Sequence, residues 1–244
     1  MSDSQVKYEL AGGVATITLD DGKRNALSPN MFKHLNAALD RAEADKAIVI
    51  LTGREEVFSA GFDLKVMKGK NPATAIAMLN AGYSLTARVL AFPHPVITAC
   101  NGHVLAMGVF LMLSTDYVIG TQGDYKVSAN EVAIGLPMPR TAAQVLKHRL
   151  TPAAFQRATT LAEYFPVDIA RESGFFDELV SATDLLSRAQ EKAAEFAALD
   201  RDAHRITKQR VRSKTIKSIR RSIPLDLKDA AILGVRGALA TRRK

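Results

Sequence analysis

Four short apolar runs, residues 14–19, 47–52, 96–100 and 117–120, are separated by stretches with helical spacing. A strand followed by a helix and a second strand cannot close as a tight hairpin. The chain must return along a crossover, which pairs the strands in parallel. The first helix is announced by Ser28 as its cap and Pro29 in its first turn, with Phe32, Leu35, Leu39 and Ala42 on one face. A second is expected over residues 72–91, ended by Pro93 and Pro95, and a third over residues 105–114. Only residues 6–10 and 14–19, joined by Ala11-Gly12-Gly13, read as a hairpin. The order of elements predicts an α/β fold.

After about Thr141 the β signals fade, and residues 141–150, 152–161, 184–197 and 202–218 all carry helical patterns. The expected organisation is a core domain over residues 1–190 and a basic helical region over 191–244. Charge marks the second part. Residues 201–244 hold fourteen Lys or Arg against Asp202, Asp226 and Asp229, whereas residues 1–200 hold nineteen bases and twenty-two acids. Such a tail suits either an anion site or the solvated face of a helix. Because Ile216, Ile219 and Ile223 recur at helical spacing, the expectation is that Arg212, Lys217, Arg220 and Arg221 face solvent. No nucleic-acid module accompanies the charge, so an RNA partner is not expected.

The chain has 244 residues, 47% of them hydrophobic and 24% charged, which is ordinary for a folded domain. Its most apolar stretch, 104–113, is half the length of a bilayer span. The N-terminal residues lack a basic-then-apolar signal pattern, and the cytoplasm is the expected compartment. Cys100 lies in an apolar run and reads as a core residue. The five histidines are scattered without ligand spacing, so no metal is expected, and neither a nucleophile elbow nor a phosphate-cradling loop is found.

Two turns carry the chemistry: Ser59-Ala60-Gly61-Phe62-Asp63, and Asn101-Gly102 through Gly108. Both lead from a strand towards a helix. The first turn of a helix leaves backbone N–H groups unpaired, and two such ends brought together can hold an oxygen that gains negative charge.

The segment Phe58-Ser59-Ala60-Gly61-Phe62-Asp63-Leu64-Lys65 closely resembles a signature of the crotonase superfamily, the enoyl-CoA hydratases and isomerases. Asn101-Gly102, Gly108 and Asp116 fall at the spacing of that family's second oxyanion turn, Asn130-Glu131 with Gly135 is similar to its third motif, and Arg24-Asn25-Ala26-Leu27 to its CoA-contacting segment. The resemblance covers residues 6–180. It implies a spiral of repeated β-β-α units with C-terminal helices that build trimers or pairs of trimers. It implies an acyl-CoA or enoyl-CoA substrate, coenzyme A being part of the substrate and no separate cofactor being needed. By position, the N–H groups of Ala60 and Met107 would hold the thioester oxygen. Arg24, Ala26, Leu27, Ala60, Gly61, Asp63 and Leu64 would line the CoA path, and Lys23, Arg24 or a tail arginine would meet the phosphates.

The family's hydratases grip one water between two glutamates. Here Glu131 stands at the second position, and Phe110 occupies the first, three residues beyond Met107. Ala106-Met107-Gly108 also replaces a run of three glycines, which puts the Met107 side chain beside Phe110 in the acyl pocket. One carboxylate against an apolar wall favours proton transfer over water addition, so the expected reaction is conversion of 3-enoyl-CoA to 2-enoyl-CoA. The alternatives are hydration of 2-enoyl-CoA and acyl-CoA binding without turnover. Asp63 and Asp116 read as turn and cap residues.

Overall fold

The computed structural model describes residues 4–241. β1 (Val6–Ala11) and β2 (Val14–Leu19) form the expected antiparallel hairpin. In β2 every second residue, Ala15, Ile17 and Leu19, is buried, as the period of a strand with one face on the core requires. β3 (Ala26–Leu27) and α1 (Pro29–Ala44) follow, with Ser28 Oγ accepting the Met31 N–H.

The chain then repeats a unit. β4 (Ile48–Thr52) is followed by β5 (Glu56–Ser59), β6 (Gly61–Phe62), α2 (Leu64–Met67) and α3 (Pro72–Ala91). Next come β7 (Val96–Cys100), β8 (Gly102–Leu105) and α4 (Met107–Met112), and then β9 (Tyr117–Thr121), β10 (Val127–Ser128) and a 3-10 turn over Val132–Ile134. The first strand of each unit enters a six-stranded sheet, β1-β2-β4-β7-β9-β11, parallel apart from the opening hairpin. The second strand enters a separate parallel sheet ordered β10-β8-β5. This is the expected spiral of β-β-α units.

Several short strands were not anticipated. Gly102, read as part of a tight turn, begins β8, which is paired on both edges. The third helix starts at Met107 instead of residue 105, because Leu105 still pairs with Ser128 and Ala106 has a φ of +48° that no helix accepts.

The C-terminal part contains α5 (Arg140–Arg149), α6 (Pro152–Thr160), α7 (Val167–Ser173), β11 (Glu178–Val180), α8 (Leu185–Ala197) and α9 (Arg201–Thr241). A division at residue 190 falls inside α8, whose Leu185, Ala189 and Ala193 pack on Ile50, Ile97 and Ile119 of the large sheet. The last helix runs well past residue 218 and carries Pro224 within it.

Ile216, Ile219 and Ile223 are buried in the main core, as their spacing predicts. The expectation of a fully solvated basic face fails at Arg212. Its side chain is 12% exposed, with Nη1 2.9 Å from Asp116 Oδ1. Lys208 Nζ lies 2.6 Å from the other carboxylate oxygen, which also accepts the Val96 N–H at 2.7 Å. Asp116 therefore caps the start of β7 and anchors α9 together. Further along, Asp226 accepts the N–H groups of Arg140 at 3.0 Å and Thr141 at 2.8 Å, capping α5, whose own preceding residue, Pro139, offers no side-chain cap.

Candidate active site

Three parallel strand ends place the site. In the small sheet Ser59 of β5 pairs with Val104, and Ser128 of β10 pairs with Leu105. The C-terminal ends of β5, β8 and β10 are therefore level, with β8 in the middle. The chain leaves them as Ala60–Phe62, Ala106–Met107 and Asn130–Glu131, the segments singled out from sequence. The Ala106 N–H donates to Ser128 O at 2.9 Å and ties the second exit to the third.

A buried polar scaffold fixes the first exit. Asn25, in the left-handed region at φ +51°, donates through its amide to Leu19 O at 2.9 Å and Phe58 O at 3.1 Å. Ser59 Oγ donates to Asn25 O at 2.8 Å and accepts the Gly61 N–H at 3.1 Å. Asp21 accepts the N–H groups of Asn25 and Ala26 at 2.8 and 2.9 Å. Asn25, Ser59 and Asp21 were not assigned a role from sequence. The signal was there for Asn25, because Asn tolerates the left-handed conformation better than most residues.

The expected role of the Ala60 N–H is corrected by its hydrogen bond, which goes to Arg24 O at 3.0 Å. The donor that remains comes two residues later. β3 and β6 pair in parallel, Ala26 with Gly61 and Leu27 with Phe62, and Asp63 N–H donates to Leu27 O at 3.3 Å. Gly61 at φ +87° breaks the alternation between Ala60 and Asp63, and the Phe62 N–H, next to that of Asp63 and facing the opposite way, turns away from β3.

Met107 begins α4, and its N–H has no hydrogen-bond partner among the described residues. The helix start lacks a side-chain cap. It is pressed against the first turn: a Cβ on Gly61, at φ +87°, would lie 2.8 Å from Ala106 Cβ and 3.3 Å from Met107 N, and one on Gly108 would lie 2.8 Å from Ser59 O. The Met107 and Phe110 side chains are fully buried in the main hydrophobic cluster.

Of the residues expected along the CoA path, Ala26 and Leu27 lie side by side with Gly61 and Phe62. Arg24 and Lys23 are exposed, as is Leu64. Asp63 caps α2, its Oδ1 accepting the Lys65 N–H at 2.8 Å.

Glu131 is 6% exposed, although residues 132–137 that follow it are all exposed. Its Oε2 has no hydrogen-bond partner among the described residues, and burial pushes its pKa up from an ordinary 4.5 to about 7. Cys100 is buried and its thiol is pushed up to about 12 by the same cause, which leaves it unreactive.

The family model for enoyl-CoA hydratase/isomerase matches residues 9–228. The chain belongs to the enoyl-CoA hydratase/isomerase family. A solved enoyl-CoA hydratase/isomerase family protein from Pseudomonas syringae is 41% identical with a TM-score of 0.90, over 93% of this chain and 98% of that one. A solved enoyl-CoA hydratase from Mycobacterium ulcerans is 43% identical with a TM-score of 0.89, over 93% and 99%. Human mitochondrial enoyl-CoA delta isomerase 1 is 28% identical over 214 residues, 86% of this chain and 71% of that protein. The fold is the crotonase fold of these structures, and the names of the relatives divide between hydratase and isomerase.

Proposed function

We propose that this member of the enoyl-CoA hydratase/isomerase family converts 3-enoyl-CoA thioesters to 2-enoyl-CoA thioesters. The observation that carries the reading is the buried carboxylate of Glu131, unpartnered among the described residues, on the segment that leaves the level ends of β5, β8 and β10. The thioester oxygen sits against the N–H groups of Phe62 and Met107, which stabilise it as negative charge develops. Glu131 removes a proton from C2, leaving a dienolate. The same carboxyl group returns the proton to C4, and the double bond moves from C3–C4 to C2–C3. A pKa of about 7 lets one group act as base and then as acid.

Water addition calls for a second acid/base group. The position three residues beyond Met107 is the buried Phe110. Asp226, the other buried carboxylate of this region, is occupied by Arg140 and Thr141. Both observations favour isomerisation over hydration.

For assembly we propose a homotrimer or a dimer of trimers, which sedimentation of the purified protein would test. Among the described residues, no helix is long and apolar enough to cross a membrane.

The test is turnover of 3-enoyl-CoA and 2-enoyl-CoA substrates of several chain lengths. Conversion confined to the 3-enoyl substrates is expected. Hydration of 2-enoyl-CoA at comparable rates would overturn the preference, and retained CoA binding without turnover of either would identify a binding protein.

A further inference from the structure

Gly82 stands in the middle of α3, a helix of 20 residues, and is buried there. A glycine weakens the interior of a helix, because it gives up more backbone freedom than any other residue and packs no side chain. Its backbone is helical, so no left-handed turn calls for it. The reason for it is space: a Cβ at this position would lie 2.6 Å from Cε1 and 2.8 Å from Cζ of Phe62, and 3.0 Å from Cζ of Phe32. The Phe62 ring fills the place that a side chain on α3 would take.

That ring is also held from both flanks. Phe32 of α1 meets it with centroids 6.0 Å apart at 61°, and Tyr83 of α3 meets it at 5.8 Å and 87°. Phe32 and Tyr83 are themselves buried. Edge-to-face contacts are directional, so the ring has one seat. The backbone of the same residue is held separately, since Leu27 of β3 pairs with Phe62 and Gly61 lies against Ala106 and Met107. With the side chain in a fixed rotamer, a displaced ring carries its own Cα and N–H with it.

We infer that Gly82 is a positioning residue for the oxyanion site: its missing side chain gives the Phe62 ring a seat on α3, between Phe32 and Tyr83, and that seat aims the Phe62 N–H at the thioester oxygen. This deepens the proposed function. It rests on the Phe62 and Met107 amides as the oxygen's donors, whichever double-bond reaction follows.

The test uses butanoyl-CoA, a saturated thioester with no double bond to move, isotopically labelled at its carbonyl carbon. Donors aimed at the oxygen polarise the carbonyl and lower its stretching frequency. Infrared difference spectra of the bound thioester are compared for the parent, Gly82→Ala, Phe62→Leu and the double variant. A methyl 2.6 Å from Cε1, where ordinary contact begins at 3.4 Å, drives the ring off by roughly 0.8 Å. The downshift of the carbonyl band should therefore shrink in Gly82→Ala. On 3-enoyl-CoA the same variant should lose about ten- to 100-fold in kcat with KM unchanged. Phe62→Leu keeps the N–H but lacks Cε1 and Cζ, so it gives up the seat and should show a weakened downshift too. Adding Gly82→Ala to it should then change nothing further.

A parent-like band in either single variant, or a further loss in the double variant, overturns the inference. Alanine suits a helix interior better than glycine, which offsets the crowding; should Gly82→Ala still fail to fold, the Phe62→Leu band decides alone. A parent band with no downshift would overturn the assignment of the two amides and the inference with it. Hydration of 2-enoyl-CoA would overturn the preferred reaction alone, and the band would still decide the role of Gly82.

Discussion

Ser128 on β10 lies beside Leu105 on β8, and its carbonyl accepts the Ala106 N–H at 2.9 Å. That contact sets the first N–H of α4 relative to the segment that ends in Glu131. Because the donor at Met107 is backbone, Met107→Gly keeps it while deleting a buried side chain. Turnover per folded molecule should stay within about tenfold of the parent, while stability falls by about 2–5 kcal/mol. Steady-state kinetics and chemical denaturation of the same preparation check both halves.

Gly61 has a φ of +87°, and an added methyl would meet Ala106 Cβ at 2.8 Å. Gly61→Ala therefore strains the backbone and forces the two turns apart. A stability loss of about 1–3 kcal/mol is expected, with kcat reduced by about 100-fold because both amides lose their aim. Thermal unfolding and kcat measured together test this.

Burial raises the folded-state pKa of Glu131 to about 7 from an ordinary 4.5. Between those values the folded protein keeps a proton that the unfolded chain releases, so the group's contribution to stability is lost as pH rises through 7. Glu131→Gln removes that cost. Its stability relative to the parent should rise between pH 5 and pH 8 by up to about 3 kcal/mol. Unfolding midpoints at both pH values measure it.

Asp116 pairs with Lys208 at 2.6 Å and Arg212 at 2.9 Å, and Lys208 is itself buried. Burial already lowers the Lys208 pKa against the pull of Asp116. Asp116→Ala leaves two cations without their acid and should destabilise the protein by about 3–5 kcal/mol. Limited proteolysis should then cut first within α9, whose anchor has gone.

The parts legible in the sequence are those whose pattern is long enough to repeat. α3 lies at residues 72–91 as read, because Asn71 and Pro72 open it and the Phe92-Pro93 step ends it. β3, β6 and β10 have two residues each, too few for a period-2 pattern, yet they carry the pairing that aims the site. The donor was placed at Ala60 because sequence marks a turn without saying which of its N–H groups face the neighbouring strand. Arg212 was read as solvated because its partner, Asp116, is distant in the chain and meets it only after β7 and β9 have paired. Glu131 is buried and its pKa raised, as expected of one carboxylate set against an apolar wall, although the run that follows it is exposed.

The central claim is that Glu131 performs both proton transfers. Turnover of 3-enoyl-CoA by Glu131→Gln, with CoA-thioester affinity measured on the same sample, tests it most directly. The account predicts a loss of at least about 10³-fold in kcat, within the range of roughly 10²–10⁴-fold that a positioned acid/base contributes, with affinity unchanged. Activity within tenfold of the parent would contradict it.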